Sequence, residues 1–164
     1  MRYILFEFKT LKLFLLAICL LLPVVTGCTP SELITVKQER DKTIEEIPIL
    51  SEADYIQTFK SDWSNTEDGG QCYYARGYIV SATQLSIEEV RKAYSALLQE
   101  QGWINENQRN LGLFIRGQHE RAYIAPVAQG TWISREVGLK QLKQQYNTVF
   151  SIRIDYMLPK RDHC

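Results

Sequence analysis

The sequence predicts an α+β domain: an antiparallel sheet of about four strands with one or two helices packed on one face. Three observations lead there. Thr148–Leu158 alternates apolar and polar residues, with Phe150, Ile152, Ile154 and Tyr156 set against Ser151, Arg153 and Asp155, the period of a half-buried strand. Ser86-Ile87-Glu88-Glu89 opens a run in which Ile87, Val90, Tyr94, Leu97 and Leu98 fall on one helical stripe. Two short apolar runs, Leu111–Arg116 and Ala122–Val127, flank Gly117-Gln118-His119-Glu120, which suits a hairpin turn. The element order is helix, strand, helix, strand, strand, a weaker helix, strand, and it gives that class.

Taken in chain order, the first 27 residues do not belong to the domain. Arg2, Lys9 and Lys12 stand against Glu7, and Leu13–Val25 is then free of charge. A helix needs roughly 20 apolar residues to span a bilayer, so this run is short for a span but fits the core of a secretory signal. Val25-Thr26-Gly27-Cys28 follows directly, with small residues ahead of a cysteine. The segment resembles the signal peptide and lipobox of bacterial lipoproteins, and the resemblance covers about residues 1–30. It implies cleavage between Gly27 and Cys28 and lipidation of Cys28, an anchor stabilised by about 0.8 kcal/mol per buried methylene. It also implies export, with the protein held by lipid at the cell membrane or outer membrane. Thr29, where some such proteins carry an inner-membrane Asp, favours the outer membrane where there is one. The rival reading is an uncleaved anchor with a chance cysteine.

Residues 28–46 are polar and charged, and read as the lipidated cysteine and a tether, in which a short surface helix would change little, with the folded domain spanning 47–164. Ser51 and Asp54 suit a helix start, and Tyr55, Ile56, Phe59 and Trp63 then share a face, so a helix is expected around 52–62. Ser64–Gly70 is a loop by composition. Cys72–Ala82, rich in Tyr, Ile and Val, is a strand. Its helix-forming successor ends at Gly102, with Trp103 packing back on the helix end. Pro126 marks a strand edge or end. Ser134–Tyr146 is the second helix, with Val137, Leu142 and Tyr146 inward and Gly138 weakening it.

The whole chain carries 19 Lys+Arg and 19 Asp+Glu. Without residues 1–27 the balance is −2, which offers little to a nucleic acid, so none is expected as a partner. Of four cysteines, Cys19 leaves with the signal and Cys28 takes lipid, so Cys72 and Cys164 remain to bridge in an oxidising compartment or to stay as two thiols. His119 and His163 are the only histidines, and neither has metal-ligand spacing to a second ligand, so no metal and no cofactor are expected. Glu88-Glu89 at a helix start reads as capping and dipole complementarity. No nucleophile elbow, phosphate loop or zinc-protease motif is present, and the chain reads as non-enzymatic. Tyr73, Tyr74 and Tyr78 with Arg76 form a candidate binding face. Arg76 and Arg153 could make an anion site if adjacent, or pair with nearby acids. The expected function is a membrane-anchored envelope lipoprotein with an interaction domain for a protein partner. The alternative is a small ligand or glycan held on the tyrosine-rich face.

Overall fold

The computed structural model describes residues 31–65, 72–106 and 112–158. Ten elements follow one another: α1 (Ser31–Glu46), β1 (Ala53–Asn65), β2 (Cys72–Thr83), α2 (Ile87–Glu100), β3 (Ile104–Asn105), β4 (Leu113–Arg116), β5 (Glu120–Pro126), α3 (Trp132–Glu136), α4 (Leu139–Gln145) and β6 (Thr148–Leu158). The strands form one antiparallel sheet in the order β1-β2-β6-β5-β4-β3. The α+β class holds, with six strands and four helices among the described residues where about four and one or two were expected.

Successive residues of a strand point to opposite faces, and here helices pack on both faces, which corrects the expectation of helices on one side. The first face carries Ile79, Phe114, Ala122, Ile124, Phe150, Ile152 and Ile154, packed under Ile44 of α1 and Val90, Tyr94 and Leu98 of α2. Each of those α2 residues is fully buried, worth roughly 1.5–3 kcal/mol apiece, so packing rather than propensity holds the helix. Ser86 caps it as expected: its Oγ accepts from Glu89 N while the Glu89 carboxylate accepts from Ser86 N at 2.8 Å. That backbone hydrogen bond, with the Ser86 hydroxyl, holds the Glu89 carboxyl below its ordinary range. Gly102 sits at φ 82° and Trp103, 2% exposed, folds back with its N–H on Leu98 O, as the sequence reading expected.

On the second face, Ile133 and Leu139 of α3 and α4 cover only one end, over Val80, Ala82, Val127 and Val149. These two short helices replace the single helix expected over 134–146. Gly138, in the left-handed region at φ 64°, is the break between them.

Two further expectations are overturned. The segment expected as a tether is α1, whose Val36, Arg40, Thr43 and Ile44 are buried against the sheet. Gly77 in β2 makes that approach feasible: a Cβ there would collide with Ile44 Cδ1 and lie 3.1 Å from its Cγ1. Residues 31–46 are therefore packed with the sheet among the described residues. The helix expected around 52–62 is strand β1. A bulge between Tyr55 and Gln57 inserts Ile56, so Ile56 and Phe59 reach the same face although three residues apart. Three is also a helical spacing, which is why the sequence pattern misled.

The β4–β5 hairpin forms with its turn at Gly117–His119, and Pro126 closes β5 where predicted. β6 spans the residues that alternation assigned to it. The signal segment, Cys28, most of the Ser64–Gly70 loop, His163 and Cys164 lie outside the described residues.

Candidate functional site

Among the described residues, half of the second face has no helix packed on it, and its side chains form an ordered surface. Reading partners across the ladder, one row crosses all six strands: Ser61, Arg76, Asp155, Arg121, Ile115 and Ile104. The neighbouring row is Phe59, Tyr78, Arg153, Tyr123 and Leu113. Directly opposed residues share a face, so three arginines and the Tyr74, Tyr78 and Tyr123 rings are brought together.

Asp155 organises the centre and is only 6% exposed. A buried carboxylate is costly unless it is paired. Arg76 Nε donates to its Oδ1 at 2.9 Å, and Arg153 Nε lies 3.2 Å from its Oδ2, without hydrogen-bond alignment. Burial alone lowers the affinity of Arg76 for its proton, but the Asp155 hydrogen bond and charge, with smaller contributions from Tyr74 and Tyr78, together outweigh this and keep the guanidinium firmly charged. Burial pushes the Tyr74 hydroxyl up, and Asp155 adds to that. Arg76 also donates to the Tyr74 hydroxyl, and its guanidinium lies 4.8 Å from the ring centroid. Arg153 lies 3.9 Å over Tyr123. Such stacking holds a guanidinium plane in place while leaving its outer N–H groups available.

The sequence-predicted residues divide. Tyr74, Arg76 and Tyr78 are together on this face. Tyr78 also joins the apolar cluster, its ring edge-on to Trp132 at 5.8 Å. Tyr73 takes the alternate strand parity, that of Ala75 and Ile79, and its side chain lies outside the described residues. Cys72 is in β2 opposite Asn65, and its side chain, like the expected bridge to Cys164, also lies outside them. Arg76 and Arg153 are one row apart and share an acid, which combines the two readings the sequence left open. Sequence reading missed Arg121 and Tyr123, although both lie on the outward parity of β5. A glycan on this face would meet rings that already carry guanidinium groups over Tyr74 and Tyr123.

His119 lies elsewhere, in a cleft of about 410 Å³ between α1 and the tip of the β4–β5 hairpin. There the charges satisfy one another. Arg116 donates to Glu120 at 2.6 Å and to Glu46 at 2.8 Å, and Thr43 Oγ1 donates to Glu120 at 2.6 Å. Burial raises the Glu120 carboxyl, but the hydrogen bonds from Arg116 and Thr43 outweigh it and hold it below its ordinary range. The arrangement latches α1 to the hairpin. Among the described residues no group of three His, Cys, Asp or Glu side chains could hold a metal ion, and no helix is long and apolar enough to cross a membrane.

Compared with protein-family models, curated proteins and solved structures, the chain matches none.

Proposed function

We propose that this protein is an exported, lipid-anchored envelope lipoprotein whose α+β domain is a non-catalytic binding module for a protein partner. The observation that carries the binding half is the second sheet face. α3 and α4 cover one end of it, and the other end presents Arg76, Arg121 and Arg153 beside Tyr74 and Tyr123, with no helix among the described residues packed over the three arginines. Arginine and tyrosine are enriched where proteins bind one another. The anchor half rests on Val25-Thr26-Gly27-Cys28 after an apolar run.

The test is intact mass and membrane fractionation of the native protein beside a Cys28→Ala variant. The expected wild type begins at Cys28, carries acyl mass and sediments with membranes, and the variant loses both properties. A wild type that keeps residues 1–27, with a variant that fractionates identically, refutes the lipid anchor.

A further inference from the structure

We infer that the uncovered part of the second face docks an acidic segment of a partner protein, with carboxylates at its centre and apolar residues on either side. This deepens the binding reading above and rests on it.

The charge balance of the face is the first argument. Three guanidiniums stand in two adjacent rows, and Asp155 is the only carboxylate on these rows. Asp155 is committed to Arg76 and Arg153. Arg121 is exposed and makes no ion pair or hydrogen bond among the described residues. Strands lie about 4.8 Å apart, so Arg76 and Arg121, two strands apart, are rooted within about 10 Å of each other. This positive surface sits on a mature chain whose formal balance is −2. It is a local feature of the fold, not a consequence of composition.

The second argument is what flanks the arginines. Towards the β3 edge the face turns apolar through Leu113 and Ile115 to Ile104, which is 70% exposed on a strand of two residues. Towards β1, Trp132 is 44% exposed against Phe59 and Tyr78. A basic centre between two apolar shoulders is the complement of an acidic centre between two apolar ends. From β1 to β3 there are five strand intervals, about 24 Å, which an extended peptide of about seven residues covers.

The stacking of Arg76 and Arg153 on tyrosine rings is the third. It fixes side chains that would otherwise lose rotamer freedom on binding, and so lowers the cost of capture. Carboxylates match the arginine fork in a way that a lone lysine would not reproduce.

The test uses the full chain purified in detergent and a fluorescein-labelled heptapeptide with three central glutamates and two leucines at each end. Binding is read by anisotropy, with a glutamine-substituted peptide, phosphatidylglycerol vesicles and a single-stranded RNA as competitors. The labelled peptide is expected to bind, more weakly as salt rises. Arg121→Glu should weaken it by about tenfold or more, Arg121→Gln by less, with circular dichroism unchanged, since Arg121 is exposed and pairs with no other described residue. Ile104→Ser should weaken it by about threefold. Equal binding of the glutamine peptide, or insensitivity to Arg121→Glu, overturns the acidic partner while leaving a protein-binding module standing. Displacement of the peptide by vesicles or RNA at lower concentration overturns both. Neither result bears on the Cys28 fractionation, so failure of the anchor and failure of the face are separable.

Discussion

Arg40 decides whether residues 31–46 are part of the fold. It is 3% exposed on α1 and reaches over β1 and β2. Its Nε donates to Asp41 at 2.7 Å, and its Nη1 lies 2.5 Å from Asp62, 3.1 Å from Ser61 O and 3.3 Å from Arg76 O. The informative perturbation is Arg40→Met, which keeps an unbranched stem and removes the guanidinium. A hydrogen bond to a charged group contributes about 1.5–3 kcal/mol net where it is desolvated. Here Asp41 and Asp62 are each over a third exposed and keep Lys60 at 3.0 Å and Lys37 at 2.9 Å, so each loss is discounted to under about 1 kcal/mol. Two backbone carbonyls lose a donor as well, and relief of the buried charge offsets part of the total. The expected destabilisation is about 2 kcal/mol, or roughly 6 °C in midpoint for a chain of this size. Urea unfolding followed by circular dichroism measures it, with trypsin cleavage after Lys37 and Lys42 as a local readout. A variant within about 0.5 kcal/mol of wild type, with no faster cleavage, would mean that α1 is not docked and that the tether reading of this segment was right.

Two other outcomes follow from the same geometry. Gly112→Ala places a Cβ 2.6 Å from the backbone oxygen of Ile124, whose own N–H bonds Gly112 O at 2.7 Å. Backbone cannot swing aside, so a loss of about 1–3 kcal/mol in urea unfolding is expected, and a neutral variant would refute the β5 placement. Acid should loosen α1. Burial raises the Asp41 and Asp62 carboxyls, but hydrogen bonds from Arg40, Lys60 and Lys37 outweigh it, so both lie below the ordinary 3.8, and Glu120 lies below its ordinary 4.5. For a lowered carboxyl, the stabilisation is complete above the unfolded value and is lost as pH falls through the folded one. Urea midpoints should therefore drop below about pH 4.5, and less steeply in Arg40→Met; equal acid slopes in the two proteins would contradict the assignment.

What could be read from the sequence was what depends on local period and local chemistry. The alternation of β6, the capping box of α2 and the Gly117 turn each sit within a few residues, and each formed as expected. The first helix was hidden because two of its inward positions are polar. Val36, Arg40, Thr43, Ile44 and Ile47 have helical spacing, but Arg40 and Thr43 break the apolar stripe, and only their partners on β1, β2 and Glu120 explain their burial. β1 was hidden by its bulge, which gives a strand the spacing of a helix. The candidate face needed pairing register. Arg76 and Asp155 are 79 positions apart, and nothing in either neighbourhood shows that they share a row.

The division of the sheet explains how a surface of this kind is tolerated. The cohesive energy lies on the first face, where Phe114, Ala122, Ile152 and Ile154 are fully buried under α1 and α2. The same strands then present Arg121, Tyr123, Arg153 and Asp155 on the other side at little cost to the core. Asp155 is the exception, since it lies on β6 between its two neighbours in the sheet and needs both guanidiniums to offset its burial. A pair of this kind adds little net stability compared with apolar residues of the same size. Its consequence is geometric: Arg76 and Arg153 are held at fixed places on the surface. On the proposed reading, stability and recognition are carried by separable residues, with Arg40 on one side of the sheet and Arg121 on the other.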